Sequence, residues 1–278
     1  MPSDPDLSYW TLTRSPEGVV TARFEHPPMN YFCAGAAEEL AGLIARWAED
    51  AVRAVVITGA RNGAFITHYS VEELAQLAGD PVALDAIGTD LNDGYHALLA
   101  SLRALGKPVI AAINGDCMGG GFELALWCDL RIAQAGDHRI GLPEVRLGII
   151  PGGSGTQMLS RIIGLGPALG LILTGSVVDP MRALDLGLVH EVADDALARA
   201  QAIAGDLAML NPVALAMTKA AVLAGHDETL TSGLAAEGRA FLETMRSKAA
   251  VAVIQAYLAE PVKRRRAFLE GISGPASQ

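Results

Sequence analysis

The stretch that decides the fold of this 278-residue chain is Lys107–Gln157, which reads KPVIAAINGDCMGGGFELALWCDLRIAQAGDHRIGLPEVRLGIIPGGSGTQ. It opens with a short apolar run at 108–115 that ends at glycine, a pattern typical of a buried strand. Three consecutive glycines, Gly119–Gly121, follow and lead into a predicted helix that carries Glu123. A second carboxylate, Glu144, comes later in the stretch, directly after a proline. The stretch therefore predicts a strand, a glycine-rich turn and a helix, with two glutamates that can meet at one cleft.

These residue types suit a particular chemistry. Glycines before a helix leave backbone N–H groups uncovered, and the N-terminus of a helix adds partial positive charge, so such a turn can hold a developing oxyanion. Two carboxylates at one cleft can act as acid and base if their surroundings separate their pKa values. Taken singly, a glycine triplet is more typical of close packing and a glutamate early in a helix of a surface position. The ordered pattern as a whole carries the hypothesis.

The flanking sequence predicts an α/β body followed by helices. Apolar runs with strand character alternate with segments whose apolar residues recur at helical spacing, and this alternation is typical of a layered α/β fold. Predicted strands cover 9–13, 19–24, 54–59, 108–115 and 130–133, and predicted helices cover 36–48, 81–105, 194–210 and 212–224. From Thr156 onward the pattern is nearly all helical. We therefore predict a core domain at 1–205 and a C-terminal helical region at 206–278.

Composition excludes several classes of protein. The net charge of −10, from 31 acidic and 21 basic residues, argues against a nucleic-acid partner. The one dense basic run, Lys263–Arg266, is typical of a solvated helix face. No apolar run reaches the length that a membrane span needs, so no membrane association is expected. The acidic, proline-containing start at 1–6 predicts a disordered leader rather than a signal peptide, and 273–278 predicts a disordered tail.

The cysteines and the missing motifs narrow the function further. Cys33, Cys117 and Cys128 lack CxxC spacing and are expected to be buried free thiols of a cytoplasmic protein. The sequence has no GxGxxG after a strand, no phosphate-binding GxxxxGK[ST], no HExxH and no GxSxG. These absences weaken the dehydrogenase, nucleotide-hydrolase and serine-hydrolase interpretations. No histidine pair has metal-ligand spacing, so no metal site is expected.

With these residues in place, Lys107–Gln157 resembles the enoyl-CoA hydratase/isomerase, or crotonase, family, and weaker similarity runs from about Val19 to Gly225. The resemblance implies a spiral of ββα units with a C-terminal helical region that packs in trimers, often paired as hexamers. It also implies an acyl-CoA thioester as substrate and no separate cofactor, because CoA is part of that substrate. We therefore expect a homotrimer or a dimer of trimers.

The resemblance also implies roles for individual residues. The N–H groups of Gly120 and Tyr69 would bind the thioester oxygen, Glu123 would hold and activate water, and Glu144 would exchange a proton with the α-carbon. The presence of both glutamates favours hydration of a 2-enoyl-CoA. The remaining residues expected at the substrate are Ile66, Thr67, His68, Ser70 and Gly119.

The loop at 63–74 departs from the family pattern. His68 and Tyr69 stand where the family has glycine and alanine, and Ser70 replaces an aspartate. Ser70 and Glu73 have the spacing of a capping box, so this replacement is expected to be structurally neutral. Either His68 or Tyr69 lines the acyl pocket and alters the choice of substrate, or both point outward as ordinary loop residues.

Three alternatives to a hydratase stay open. One is an enoyl-CoA isomerase that relies mainly on one glutamate. Another is a carbon–carbon bond hydrolase or lyase of a β-dicarbonyl compound, with His68 as the base. The third is a catalytically silent acyl-CoA-binding or assembly subunit, which the altered loop suggests and the two retained glutamates oppose.

Overall fold

A computed structural model describes residues 7–49 and 51–271, and the predicted leader at 1–6 and tail at 273–278 lie outside these ranges. The chain divides into two compact units, Met1–Met209 and Leu210–Gln278. The predicted domain boundary lay at 205.

The first unit contains ten strands and nine α-helices in the described ranges. The strands are β1 (Trp10–Arg14), β2 (Val19–Phe24), β3 (Ala54–Gly59), β4 (Gly63–Ala64), β5 (Val109–Ile113), β6 (Gly115–Met118), β7 (Leu130–Gln134), β8 (Ile140–Gly141), β9 (Val177–Val178) and β10 (Glu191–Ala193). The helices are α1 (Ala34–Trp47), α2 (Val71–Ala78), α3 (Pro81–Ile87), α4 (Asp93–Ala104), α5 (Gly119–Trp127), α6 (Gly155–Ile163), α7 (Leu165–Thr174), α8 (Pro180–Asp185) and α9 (Ala196–Ala208).

The main sheet has six strands in the order β1-β2-β3-β5-β7-β10, all parallel except the β1–β2 hairpin. Side chains alternate between its two faces, so neighbours in β3 enter different cores. Val55 and Ile57 join a large core with residues of α1, α4 and α5. Ala54 and Val56 pack against α9, whose buried alanines recur every four residues from Ala196 to Ala208. A sheet covered on both faces in this way requires apolar runs, which explains why β3 and β5 are so hydrophobic.

A second, four-stranded sheet has the order β4-β6-β8-β9 and positions the loops of the site. Its strand β6 leads directly into α5. Beside it, the N–H of Met118 donates to the carbonyl of Thr67 at 2.9 Å, so the 63–70 loop runs alongside the start of α5. This sheet was absent from the sequence-based prediction, because β4, β8 and β9 each contain only two residues.

Several predicted elements differ in detail. The helical segment predicted at 81–105 is interrupted by a 3₁₀ turn at Gly88–Asn92, and Gly88 adopts a φ of +58° that an α-helix excludes. Only one of the two hydrogen bonds of the capping box forms. Ser70 Oγ accepts from the N–H of Glu73 at 3.2 Å, but the Glu73 carboxylate accepts from the N–H of Ala34 and the hydroxyl of Tyr69. The predicted free, buried state of the three cysteines is confirmed.

The second unit is helical over its described residues. It contains α10 (Pro212–Asp227), α11 (Leu230–Arg246), α12 (Lys248–Ala259) and α13 (Arg265–Leu269), with a 3₁₀ turn at Val262–Arg264. In the basic run at 263–266, Arg264 pairs with Glu260 and Arg266 with Glu270. No single helix in the described ranges is both long and apolar enough to cross a bilayer.

Candidate active site

The first turn of α5 lies against the 63–70 loop because its glycines permit a very close approach. An alanine Cβ at residue 121 would lie 2.1 Å from the carbonyl oxygen of Ile66, a distance that no real side chain could accept. Gly119, at the start of the helix, has a φ of +49°, in the left-handed region that favours glycine. The glycine triplet therefore serves both the turn and the contact between these two segments.

The backbone of Tyr69 lies next to Gly120. Tyr69 forms a parallel bridge with Phe32 that uses the carbonyl of His68 and the N–H of Ser70, at 2.8 and 2.7 Å. The N–H of Tyr69 therefore points away from Phe32 and toward α5. A Cβ at Gly120 would lie 3.6 Å from this nitrogen. Gly120 itself lies in the first turn of α5, where backbone N–H groups lack a partner within the helix.

Tyr95 of α4 holds this region together and was missed by the sequence analysis. Its hydroxyl donates to the carbonyl of Gly120 at 2.6 Å, and its ring packs edge-on against Tyr69 with centroids 6.2 Å apart. Burial raises the pKa of Tyr95 well above its ordinary value, so the hydroxyl keeps its proton and stays a donor. Nothing near Tyr95 in the sequence marks it, because its partners come from other segments of the chain.

Glu123 projects from α5 and is only 3% exposed. Its Oε1 accepts a hydrogen bond from the N–H of Gly155 at 2.7 Å. Burial raises the pKa of Glu123 to about 8, with a further rise from the charge of Glu144, while hydrogen bonds from the backbone of Gly155 and Gly153 oppose it. The carboxyl therefore holds its proton at pH values where an exposed glutamate is ionised.

Glu144 begins a 3₁₀ turn, Glu144–Leu147, directly after Pro143. The residue is 9% exposed, and burial raises the pKa of its carboxyl to about 7. Its Oε2 is buried and makes no hydrogen bond with the described part of the chain. Its Oε1 would lie 3.0 Å from a Cβ at Gly119, so this carboxylate reaches the start of α5. A buried, unpartnered carboxylate oxygen is available to exchange a proton with a bound molecule.

These groups face one cavity of about 800 Å³. Of the predicted site residues, it brings together His68, Tyr69, Gly119, Gly120, Glu123 and Glu144. The rest of its lining is mainly aliphatic and aromatic, with a few polar side chains: Val71, Glu73, Leu74, Leu77, Leu91, Asn92, Tyr95, Pro143, Arg146, Leu147, Ile149, Ile150, Gly152 and Gly153. An apolar wall around a small set of polar groups is typical of a small-molecule site.

Three residues predicted at the substrate support the loop and do not line this cavity. The side chain of Ile66 is fully buried in the core. The hydroxyl of Thr67 donates to the carbonyl of Met29 at 2.6 Å, and Ser70 caps α2. A direct contact between these three residues and a substrate stays a prediction.

His68 and Tyr69 both border the cavity, yet each is held by neighbouring groups. The Nδ1 atom of His68 lies 2.6 Å from the carbonyl of Tyr69, and its ring stacks on Tyr31 with centroids 4.1 Å apart. The hydroxyl of Tyr69 donates to Glu73 at 2.7 Å. Burial, followed by the bond to Glu73, raises the pKa of Tyr69. These contacts give both side chains a fixed place in the wall of the cavity.

Comparisons with known proteins agree with this geometry. Residues 14–267 match the enoyl-CoA hydratase/isomerase family. The protein YngF of Bacillus subtilis (strain 168), which carries the name of this family, is 39% identical over 80% of this chain and 82% of its own length. The fatty acid oxidation complex subunit alpha of Shewanella oneidensis is 36% identical over 66% of this chain, which is 26% of that longer protein.

Solved structures extend the agreement to the fold. The enoyl-CoA hydratase of Bacillus anthracis superimposes with a TM-score of 0.82 at 31% identity, covering 90% of this chain and 96% of that one. DspI of Pseudomonas aeruginosa gives 0.85 at 29% identity, with coverages of 92% and 96%. The predicted crotonase-like fold is therefore confirmed, and the chain is an enzyme that belongs to the enoyl-CoA hydratase/isomerase family.

Proposed function

We propose that this enzyme adds water across the 2,3 double bond of a 2-enoyl-CoA, with no cofactor beyond the CoA of its substrate. The observation that carries the proposal is the pair of buried glutamates at one cavity, with pKa values of about 8 and about 7. Tyr69 and Gly120 line the same cavity, and their N–H groups would bind the oxygen of a thioester.

In the proposed reaction, one glutamate takes up a proton and the other delivers one. The oxygen of water bonds to C3 while Glu123, as a carboxylate, takes one proton from it. The electron pair of the C2–C3 double bond shifts to form a C1–C2 double bond, and the carbonyl electron pair moves onto the thioester oxygen, where the two N–H groups stabilise the enolate. Glu144, as a carboxylic acid, then delivers its proton to C2, and the product carries one additional water. The productive enzyme therefore holds one proton, on Glu144.

The raised pKa values favour a state near neutral pH in which Glu123 and Glu144 together hold one proton. With values of about 8 and 7, the pair carries close to one proton between those limits. Because the pKa of Glu123 is the higher of the two, the form with the proton on Glu144 is less populated than the form with it on Glu123. A mobile proton at neutral pH is what general acid–base catalysis requires.

The alternatives within the family differ in their products. An isomerase would convert a 3-enoyl-CoA to the 2-enoyl-CoA without adding water, and a carbon–carbon hydrolase would cleave a CoA-free β-diketone. Nδ1 of His68 can only donate to the carbonyl of Tyr69, which leaves Nε2 as the ring nitrogen that the hydrolase alternative would use as its base. Product analysis with a 2-enoyl-CoA, a 3-enoyl-CoA and a β-diketone tests the proposal. A 3-hydroxyacyl-CoA product from the 2-enoyl-CoA supports hydration, and turnover of only one of the other two substrates contradicts it.

A further inference from the structure

The loop before α6 contains a residue in a strained conformation. Ser154 has a φ of +86°, in the left-handed region where residues other than glycine are uncommon. It occupies the N-cap position of α6, where a serine hydroxyl ordinarily accepts a bond from the first turn of the helix. Its side chain makes no such capping bond. Instead, Ser154 Oγ accepts a hydrogen bond from the indole N–H of Trp127 at 2.6 Å.

This contact lies beside the hydrogen bond that holds Glu123. Trp127 and Glu123 are four residues apart on α5, so both project from the same face of that helix. Trp127 holds Ser154, and Glu123 accepts from the N–H of the next residue, Gly155. The ψ angle of Ser154, which is 2°, sets the plane of the peptide that carries this N–H. Fixing Ser154 therefore fixes the direction of the bond to Glu123.

The ring of Trp127 is itself held in place. The guanidinium of Arg103, on α4, lies over the indole at 5.5 Å from its centroid. Nη1 of Arg103 also approaches the sulfur of Met158, on α6, at 3.8 Å. The indole donor thus comes from a side chain that neighbouring helices orient, and it can keep Ser154 in its unfavourable conformation.

We propose that Trp127 and Ser154 are positioning residues for Glu123, and that their hydrogen bond, the Trp127–Ser154 latch, holds the Gly155 N–H against the carboxylate that activates water. This inference rests on the proposed role of Glu123 in hydration. The latch does not touch the substrate. It sets the orientation of Glu123 and, through the Gly155 bond, the ease with which that carboxyl ionises.

A matched pair of substitutions separates the latch from the turn. Ser154→Ala removes the hydroxyl and leaves a Cβ that resists a positive φ, so the loop is expected to relax and the Gly155 N–H to turn away. Ser154→Gly also removes the hydroxyl, but glycine adopts this conformation without strain. Trp127→Phe removes the indole donor and keeps an aromatic ring beneath Arg103.

Two readouts are needed: kcat and KM on crotonyl-CoA, and the pKa of Glu123 from carbon-13 NMR of labelled glutamate carboxyls, assigned with Glu123→Gln. Ser154→Ala and Trp127→Phe are expected to lower kcat about 10-fold, with KM within about twofold, because a displaced catalytic group costs rate. Both should raise the pKa of Glu123, since a bond that favours its charged form is lost. Ser154→Gly should keep a kcat and a Glu123 pKa close to those of the parent protein. Trp127→Phe combined with Ser154→Gly should recover most of the kcat that Trp127→Phe alone loses.

The proposed role of the latch is overturned if Ser154→Ala and Trp127→Phe keep the parent kcat and Glu123 pKa. It is also overturned if Ser154→Gly lowers kcat as much as Ser154→Ala does. A parent protein that does not hydrate crotonyl-CoA contradicts the proposed function instead. The NMR titration still decides the latch in that case, because it needs no turnover. If Trp127→Phe does not fold, the two Ser154 variants carry the test.

Discussion

At the scale of single residues, the site depends on how burial changes two carboxyl groups. Glu123 and Glu144 both hold protons more tightly than exposed glutamates, and burial is the largest cause for each. Glu123 is further affected by the charge of Glu144 and by two backbone N–H groups. Because the pKa of Glu123 is the higher of the two, a single proton resides mainly on Glu123, and the productive form, with the proton on Glu144, is the minor one.

The rate should depend on pH through both groups. Below about pH 7 both glutamates are protonated, and above about pH 8 both are ionised, so only the window between them favours the one-proton pair. We expect a bell-shaped profile of kcat/KM with its limbs near these values. Stopped-flow or steady-state rates, measured between about pH 5 and 10 at constant ionic strength, check this expectation. A profile that stays flat from about pH 6 to 9 would contradict the assignment.

Because of Glu123, the free energy of unfolding of the protein should fall as the pH rises. Its folded pKa lies above that of an unfolded glutamate, so its stabilising effect is complete below about pH 4.5 and is lost as the pH rises through about 8. Because one pKa unit corresponds to about 1.4 kcal/mol, the loss is on the order of 5 kcal/mol. Glu123→Gln should therefore raise Tm more at pH 9 than at pH 5. Equal changes in Tm at both pH values would argue against a buried, protonated Glu123.

At the scale of secondary-structure elements, the contact between α5 and the 63–70 loop places Tyr69 next to Gly120, the two residues proposed to bind the thioester oxygen. Gly121 permits this approach because its missing Cβ would meet the carbonyl oxygen of Ile66 at 2.1 Å. Tyr95 adds a hydrogen bond to Gly120 from a third element, α4. The distance between the Tyr69 and Gly120 N–H groups thus depends on how closely these elements pack.

Gly121→Ala is expected to push these elements apart. The added methyl group should cost about 1–3 kcal/mol of stability, as overpacking does elsewhere, and should lower kcat by displacing the Tyr69 N–H. Gly42→Ala is the matched control, because Gly42 lies in α1 and the added Cβ would meet no atom within 4 Å beyond its chain neighbours and the backbone of its own helix. That change should stabilise the protein by about 0.5–1 kcal/mol through helix propensity. Chemical denaturation and crotonyl-CoA turnover of both variants measure the difference, and similar behaviour of the two would refute it.

The sequence predicted the helices and strands that a pattern of neighbouring residues marks. The apolar run that forms β3 was assigned its observed limits, and Glu123 was placed on a helix after the glycine triplet. Tyr95 and Ser154 could not be found in this way. The hydrogen-bond partners of their side chains lie 25 and 27 residues away in the sequence. The altered loop at His68 and Tyr69 could be identified, but the contacts of both side chains depend on Tyr31 and Glu73.

At the scale of the whole molecule, the C-terminal unit exposes several large apolar side chains. Among its large hydrophobic side chains, Val222 is 66%, Leu234 57% and Phe241 65% exposed, and all three border a groove between α10 and α11. Contiguous apolar surface of this kind marks a contact with another protein. A second copy of the chain fits the oligomer that the family resemblance implies.

We therefore expect the protein to assemble as a trimer or a dimer of trimers. Light scattering coupled to size exclusion should give a mass three or six times the 29.0 kDa of one chain. Phe241→Glu, which places a charge on the exposed apolar face of α11, should shift the mass toward that of one chain. A protein that elutes with the mass of one chain at micromolar concentration would contradict this expectation.

The central claim is that this site hydrates an enoyl thioester, and the loss of the conjugated enoyl absorbance of crotonyl-CoA tests it most directly. The purified protein should remove this absorbance rapidly. Glu144→Gln keeps the shape of the side chain but cannot exchange the proton, so it should lower the rate by about 10²–10⁴-fold. No loss of absorbance with the parent protein, despite binding of the thioester in a thermal-shift assay, would contradict the account. An equal rate in Glu144→Gln would contradict the role of that carboxyl.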